Sequence, residues 1–490
     1  MFESAELGHK VDKELYKREL PALREALLTA QAELLEQRSC SVVIIVGGVD
    51  GAGKGETVNV INEWMDPRHI ATHAFAAPSD EERERPPFFR FWNALPPKGK
   101  IGVFFGSWYT DPILRRAYGK IDSAELDRRS DEIVRLERML SDDGVLVIKL
   151  WMHLGKAQQK KRLKQLERDR KSRWRVGPDD WKHFALYDTF AKVSAACLRR
   201  TSTAEAPWLV VEGMDPRYRS LTVGNALLAA LRARLAEQRA PATPAAPASV
   251  HSIDGRTVLS DVEQPPPLEE AEYEERLEAL QARLARLSRK RRFHSGSVLA
   301  VFEGMDAAGK GGAIRTITGA LDARVYRVVP FAAPTDEERA RPYLWRFWRQ
   351  LPRHGRLALY DRSWYGRVLV ERVEGFCSEA EWMRGYQEIN DFEDQLIRAG
   401  VLLTKFWLHV SPDEQLRRFE ERKATAYKLY KITDEDWRNR GKLPAYMVAA
   451  ADMIDRTSTE LAPWTIVPAD DKRRARLQVL ETLVDRLRDG

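Results

Sequence analysis

The feature that most constrains this 490-residue chain is that it is written twice. Gly47-Gly-Val-Asp-Gly-Ala-Gly-Lys-Gly returns as Glu303-Gly-Met-Asp-Ala-Ala-Gly-Lys-Gly, with Lys54 and Lys310 standing 256 residues apart. The same offset pairs Phe75–Pro86 with Phe331–Pro342, identical at ten of twelve positions. It also sets Trp151 on Trp407, Trp181 on Trp437, Trp208 on Trp464, and Arg200-Thr-Ser-Thr on Arg456-Thr-Ser-Thr. An ungapped match of this reach reads as duplication and fusion of one domain of about 220 residues. The expected organisation is an N-terminal domain over 1–238, a Pro/Ala-rich linker over 239–267 that has no means to build a core, and a C-terminal domain over 268–490.

Each copy reads as α/β. Ser41-Val-Val-Ile-Ile-Val and its counterpart Ser297-Val-Leu-Ala-Val-Phe are short apolar runs that suit buried parallel strands. Arg356-Leu-Ala-Leu-Tyr, Val401-Leu-Leu-Thr-Lys-Phe-Trp-Leu and Trp464-Thr-Ile-Val read as further strands, with amphipathic stretches between them. Strands alternating with helices predict a parallel sheet covered by helices on both faces. Upstream of each motif, Tyr16, Leu20, Leu23 and Leu27, and Tyr273, Leu277, Leu280, Leu284 and Leu287, follow helical spacing and predict a docking helix with one core-facing stripe.

Gly304-Met-Asp-Ala-Ala-Gly-Lys-Gly has the G-x-x-x-x-G-K core of a Walker A P-loop between a strand and a helical stretch, the context that the motif needs. Backbone amides of Gly304, Ala307, Ala308, Gly309, Gly311 and Gly312, with the start of the helix, are expected to cradle phosphate, and Lys310 supplies a point charge. The hydroxyl that normally follows the lysine and binds Mg²⁺ is missing: Gly311 stands there, and Gly55 in the first copy. Carboxylates must then hold the metal. Asp306 is the first candidate, because a carboxylate inside a phosphate loop repels its ligand unless a cation lies between. Asp361, at the end of an apolar strand, is the second, and Arg362 and Arg367 are placed to donate to phosphoryl oxygens. The basic stretch Arg417–Lys431 with Arg422, Lys423, Lys428 and Lys431 reads as a lid that closes on phosphates.

The first copy keeps Asp50, Lys54 and Ser107-Trp-Tyr but carries Phe105 at the position of Asp361, Gly106 at that of Arg362 and Asp111 at that of Arg367. It is expected to be nearly inert: structural, or a binder of anionic ligand without turnover.

Together these motifs resemble the family-2 polyphosphate kinases, over almost the whole of both copies outside the linker. The resemblance rests on Gly304–Gly311, Asp361-Arg-Ser-Trp-Tyr-Gly-Arg367, Trp437-Arg-Asn-Arg and Arg456-Thr-Ser-Thr through Trp464, then Ala469-Asp-Asp-Lys. The fused arrangement is similar to the subclass that phosphorylates AMP to ADP. The resemblance implies tandem P-loop kinase domains with a helical lid, inorganic polyphosphate as donor, AMP or another nucleotide as acceptor, and Mg²⁺ (Mn²⁺ as an alternative). By position it implies that Asp306 and Asp361 bind metal, that Lys310, Arg362 and Arg367 neutralise the transferred group, and that Arg422, Lys423, Lys428 and Lys431 track the polyanion. Competing readings are phosphorylation of a nucleoside diphosphate or its reversal into polyphosphate synthesis, an ordinary ATP-dependent kinase, and a non-catalytic sensor of polyphosphate or nucleotide.

Composition narrows the field further. A net charge of +7 over this length is mild, and no nucleic-acid partner is expected. Three distant cysteines give neither a disulfide framework nor a thiolate zinc site. There is no apolar run of the ~18 residues that span a bilayer. The charged N-terminus lacks the apolar segment of a signal peptide, so the expected compartment is the cytoplasm. Fused copies can pack as an internal pseudo-dimer, with a further homo-oligomer left open.

Overall fold

The computed structural model describes residues 1–237, 254, 256–425 and 434–489. Two five-stranded sheets, every pairing parallel, are built from the two copies. The first contains β1 (Ser41–Gly48), β2 (Ile70–Ala74), β3 (Ile101–Phe105), β4 (Val145–His153) and β5 (Trp208–Glu212), in the order β2-β3-β1-β4-β5. The second contains β6 (Ser297–Gly304), β7 (Tyr326–Pro330), β8 (Leu357–Asp361), β9 (Val401–His409) and β10 (Trp464–Pro468), in the order β7-β8-β6-β9-β10.

The central strands are the glycine-bounded apolar runs. Val42–Val46 and Val298–Phe302 are buried throughout because helices cover both faces of each sheet. The edge strands β2 and β7 are largely exposed and lack an apolar run, so hydrophobic patterning alone does not single them out. The expected docking helices are Lys13–Gln37 and Glu270–Leu287. Leu23, Leu27, Leu284 and Leu287 are buried on their inner stripes, with Tyr16 and Leu20 packed part-buried against the same core.

The chain resolves into two compact units. The first takes Met1–Pro78, the described residues from Phe88 to Glu237, and Thr335–Trp345; the second takes Ser79–Pro87, the described residues from Asp254 to Pro334, and Arg346 onward. Each unit thus includes one short segment of the other copy. Within the second unit Arg85 Nε donates to the Leu351 carbonyl at 3.0 Å, and within the first Arg341 Nε donates to the Leu95 carbonyl at 3.2 Å. These are equivalent bonds at the 256-residue offset. The near-identical stretches Phe75–Pro86 and Phe331–Pro342 each supply the arginine of one such bond.

Order along the chain reverses beside β6, with β7 and β8 on one side and β9 and β10 on the other. In open parallel sheets the crevice at such a reversal, beyond the carboxyl ends of the strands, is where ligands bind.

Candidate active site

In the second unit the P-loop runs from the end of β6 to the helix Lys310–Thr318. Gly304 leaves the strand at φ 144°, and a Cβ there would lie 2.5 Å from the Leu408 carbonyl oxygen, so only glycine allows β6 to turn this close to β9. Ala307 takes φ 62° in the left-handed region, as does the capping Gly309 at 108°. Lys310 Nζ donates to the carbonyls of Gly304 at 2.7 Å and Met305 at 3.3 Å, which curls the loop around its own lysine.

Arg418, on the helix Pro412–Ala424, is 2% exposed and fastens this loop. Its NH1 donates to the carbonyls of Ala307 (2.9 Å) and Ala308 (3.2 Å), its NH2 to those of Ala469 (2.6 Å) and Asp470 (2.8 Å), and its Nε to Glu414 at 2.7 Å. The basic run expected to be a lid is therefore divided. Arg418 works inward as a staple, Arg417 pairs with Glu414 at 2.6 Å, Arg422 lines the cavity, and Lys423 is exposed. Lys428 and Lys431 lie outside the described residues.

The cavity over the loop measures about 600 Å³. Lys310, Arg315, Arg418, Arg422, Lys472 and Arg476 line it, against the two carboxylates Asp361 and Glu421. Arg315 and Arg476 were not singled out from sequence, and Lys472 entered only as the end of Ala469-Asp-Asp-Lys; they belong to two helices far apart in the chain, and only folding points them at the same loop.

Beside the cavity, Asp306 is gripped from two sides. Arg362 NH2 approaches Oδ1 at 3.2 Å, Asn439 Nδ2 donates to Oδ2 at 2.8 Å, and Gln415 Nε2 donates to the Asp306 carbonyl at 3.0 Å. Arg362 adopts φ 66°. Its amide donates to Phe302 across the register Phe302↔Asp361, which sets both residues at the carboxyl edge of β8. Arg367 is placed elsewhere: it sits 3.2 Å from Glu371 and 3.3 Å from Glu381 and does not line this cavity.

Two acidic groups here were missed in the sequence. Glu303, at the end of β6, is buried and accepts from Ser363 Oγ at 2.8 Å. Burial pushes its carboxyl up, against the pull of Ser363, Lys310 and Arg362. Glu374 is 5% exposed and gathers the helices Asp434–Gly441 and Leu443–Thr457 through Lys442 at 2.8 Å, Arg438 at 3.7 Å and the Tyr446 hydroxyl at 3.4 Å. The only sequence trace of both is that the offset pairs them with Gly47 and Tyr118.

Ser363-Trp-Tyr persists in both copies for a structural reason. Trp364 Nε1 and the Tyr365 hydroxyl donate to the buried Glu393, which also accepts from Lys405 on β9 at 2.7 Å. Burial raises the Glu393 carboxyl and lowers the Lys405 ammonium, and each sustains the other's charge. Trp108, Tyr109, Glu137 and Lys149 repeat the network under the first site. Trp345, Trp348 and Trp364 are all core residues, at most 2% exposed.

Among the described residues no cluster of three or more His, Cys, Asp or Glu side chains is poised for a metal. Two carboxylates, Asp306 and Asp361, stand at the loop expected from sequence to cradle phosphate. That donor set fits Mg²⁺, which is held by one or two carboxylates together with substrate phosphates and water. It does not fit a preformed all-protein cage.

The model of the family described as Polyphosphate kinase 2 (PPK2) matches residues 10–239 and again 267–490. A polyphosphate:AMP phosphotransferase of Pseudomonas aeruginosa is 55% identical over 486 residues, covering 99% of this chain and 98% of that protein. One from Acinetobacter johnsonii is 38% identical over 469 residues, 94% and 95% of the two chains. An ADP-polyphosphate phosphotransferase 2 of Rhizobium meliloti matches over 46% of this chain and 73% of its own length, at 40% identity. The crystal structure of a polyphosphate kinase 2 from Pseudomonas aeruginosa PA01 superposes with a TM-score of 0.91 at 53% identity, covering 100% of this chain and 98% of that one. With both halves matched by one family model and the chain aligned end to end with relatives of similar length, it belongs to the polyphosphate kinase 2 family.

Proposed function

We propose that this protein transfers a phosphoryl group from inorganic polyphosphate to AMP, forming ADP and a polyphosphate shorter by one unit, and that its C-terminal half does so. The observation that carries this reading is the cavity over the second P-loop, where six cationic side chains face two carboxylates. Polyphosphate has no base or sugar to recognise, so loop amides and a dense positive lining are what its binding requires. The full-length relatives named polyphosphate:AMP phosphotransferase support AMP as acceptor.

An oxygen of the AMP phosphate attacks the terminal phosphorus of the donor as the bridging P–O bond breaks, in line, with little covalent work left to the protein. Lys310 and the amides from Ala307 to Gly312 hold the donor's terminal phosphates. Arg362, set beside Asp306, draws donor and acceptor oxygens together against their mutual repulsion. Asp306 and Asp361 would hold Mg²⁺, which when bound neutralises phosphate charge. Arg422 follows the polyanion away from the loop.

The test incubates the protein with Mg²⁺, polyphosphate and AMP and follows nucleotides by chromatography, with ATP replacing polyphosphate in a parallel series. ADP is expected with polyphosphate as donor, and none from Asp361→Ala. Turnover with ATP alone overturns the donor assignment. Persistent turnover in Asp361→Ala moves the chemistry to the first half.

A further inference from the structure

The first unit holds a cavity of about 260 Å³ at the place where the second has its charged site. The offset shows what has changed. Glu303, Asp361, Arg362, Glu374 and Lys442 become Gly47, Phe105, Gly106, Tyr118 and Leu186, and all five replacements line the cavity. Trp151 and Trp208 meet edge to face behind it with centroids 6.0 Å apart, and Phe190 stacks on Trp151 at 6.1 Å. One polar edge survives. Asp50 accepts from Lys54 Nζ at 3.0 Å and sits 2.9 Å from His183 Nδ1. Two further lining residues each carry a polar atom without a partner, Trp151 Nε1 and Gln159 Oε1.

The phosphate side of this site is closed. Of the six cations over the second P-loop, only Lys54 and Arg162 have basic counterparts in the first; Asn59, Leu166, Pro216 and Ser220 replace the rest. Arg219 packs against Gly53 so tightly that a Cβ there would lie 2.1 Å from its NH1, which donates to the Gly213 carbonyl at 2.8 Å. Glu56 occupies the first helical turn, where the second copy has Gly312, and pairs with Arg175 at 2.9 Å and Arg162 at 3.7 Å. A carboxylate on that turn repels phosphate and uses up the basic groups that would attract it.

We infer that the N-terminal half binds an uncharged, planar nitrogen heterocycle of nucleobase size in this cavity, its faces against the aromatic walls and its donor and acceptor atoms on the Asp50–Lys54–His183 edge. Aromatic walls favour a flat ring through offset and edge contacts. The volume falls just below the ~300–1,000 Å³ usual for small-molecule sites, which suits a ligand of nucleobase size. This inference is independent of the reaction proposed for the other half.

The test titrates the intact chain calorimetrically with adenine, adenosine, AMP and tripolyphosphate. It is repeated on Leu114→Trp, which fills the cavity from its half-exposed wall, and on Val370→Trp, the same change at the equivalent position of the C-terminal half. Adenine is expected to bind about tenfold more weakly to Leu114→Trp and within about twofold of normal to Val370→Trp. Tripolyphosphate binding is expected to be unaffected by Leu114→Trp. Thr110→Trp, at the exposed lip, replaces Leu114→Trp if circular dichroism shows that variant misfolded. Adenine binding lost in Val370→Trp instead, AMP binding that Leu114→Trp abolishes, or no heat from adenine or adenosine at millimolar concentration each overturns the inference.

Discussion

Arg362 is the side chain on which the proposed reaction can be tested most directly. Its backbone lies in the left-handed region at φ 66°, and the residue at the same place in the first copy is Gly106 at φ 78°. Arg362→Gly therefore removes the guanidinium without straining the turn. We expect kcat to fall about 10²–10³-fold, the usual loss for one preorganised charge on a transition state, with the melting temperature unchanged. Steady-state assays beside a thermal melt check both halves of that statement. The loop motif and the Asp361-Arg362 pair were readable in sequence because each lies within one short stretch at the end of an apolar strand. The roles of Arg418, Asn439 and Glu374 were not: a buried arginine and a solvated one look alike in a basic run, and contacts between residues far apart in the chain leave no local trace. Arg367 looked like another phosphate ligand, whereas Glu371 and Glu381 hold it.

At the scale of elements, the buried Lys405–Glu393 pair joins β9 to the helix Glu379–Arg398 beneath the Ser-Trp-Tyr turn. Lys405→Met leaves Glu393 charged or forces a proton on it, and is expected to cost about 3–5 kcal/mol in urea unfolding followed by circular dichroism. Lys149→Met should cost a similar amount through the first unit. The helix Pro412–Ala424 depends on Glu414, whose carboxyl Arg417 holds down to about 2, with Arg418 adding to the pull against partial burial. A depressed carboxyl stabilises the fold above its ordinary value of 4.5, and that contribution fades as pH falls from there toward about 2. Thermal melts across this window should drop less steeply for Glu414→Gln than for the parent chain, and a parallel drop counts against the assignment. The strands of the core were legible as apolar runs. The edge strands β2 and β7 were not, because exposure on the sheet's rim removes the pattern.

Across the whole molecule, charge is divided unequally between two copies of one fold. The net +7 conceals a site with six cations in one unit and, at the equivalent positions, two in the other. Binding of a polyanion through such a lining weakens with salt, since screening shortens to about 3 Å at 1 M. KM for polyphosphate is expected to rise several-fold between about 0.05 and 0.5 M salt, more than KM for AMP. The double variant Lys472→Gln, Arg476→Gln should flatten that dependence, which initial rates at varied salt will show. Among the described residues no helix is long and apolar enough to cross a membrane.

The sequence by itself determined the duplication, the parallel α/β architecture, the P-loop motif in both copies and the half that carries Asp361 and Arg362. Those follow from local pattern and from comparing the chain with itself. Only the tertiary structure decided which charges converge on the second loop, that Arg418 is a staple, that Arg219 and Glu56 close the first loop, and that an apolar cavity stands in place of the lost charges. Each of these depends on side chains from distant helices meeting at the edge of a sheet, and periodicity along the chain carries no information about such meetings.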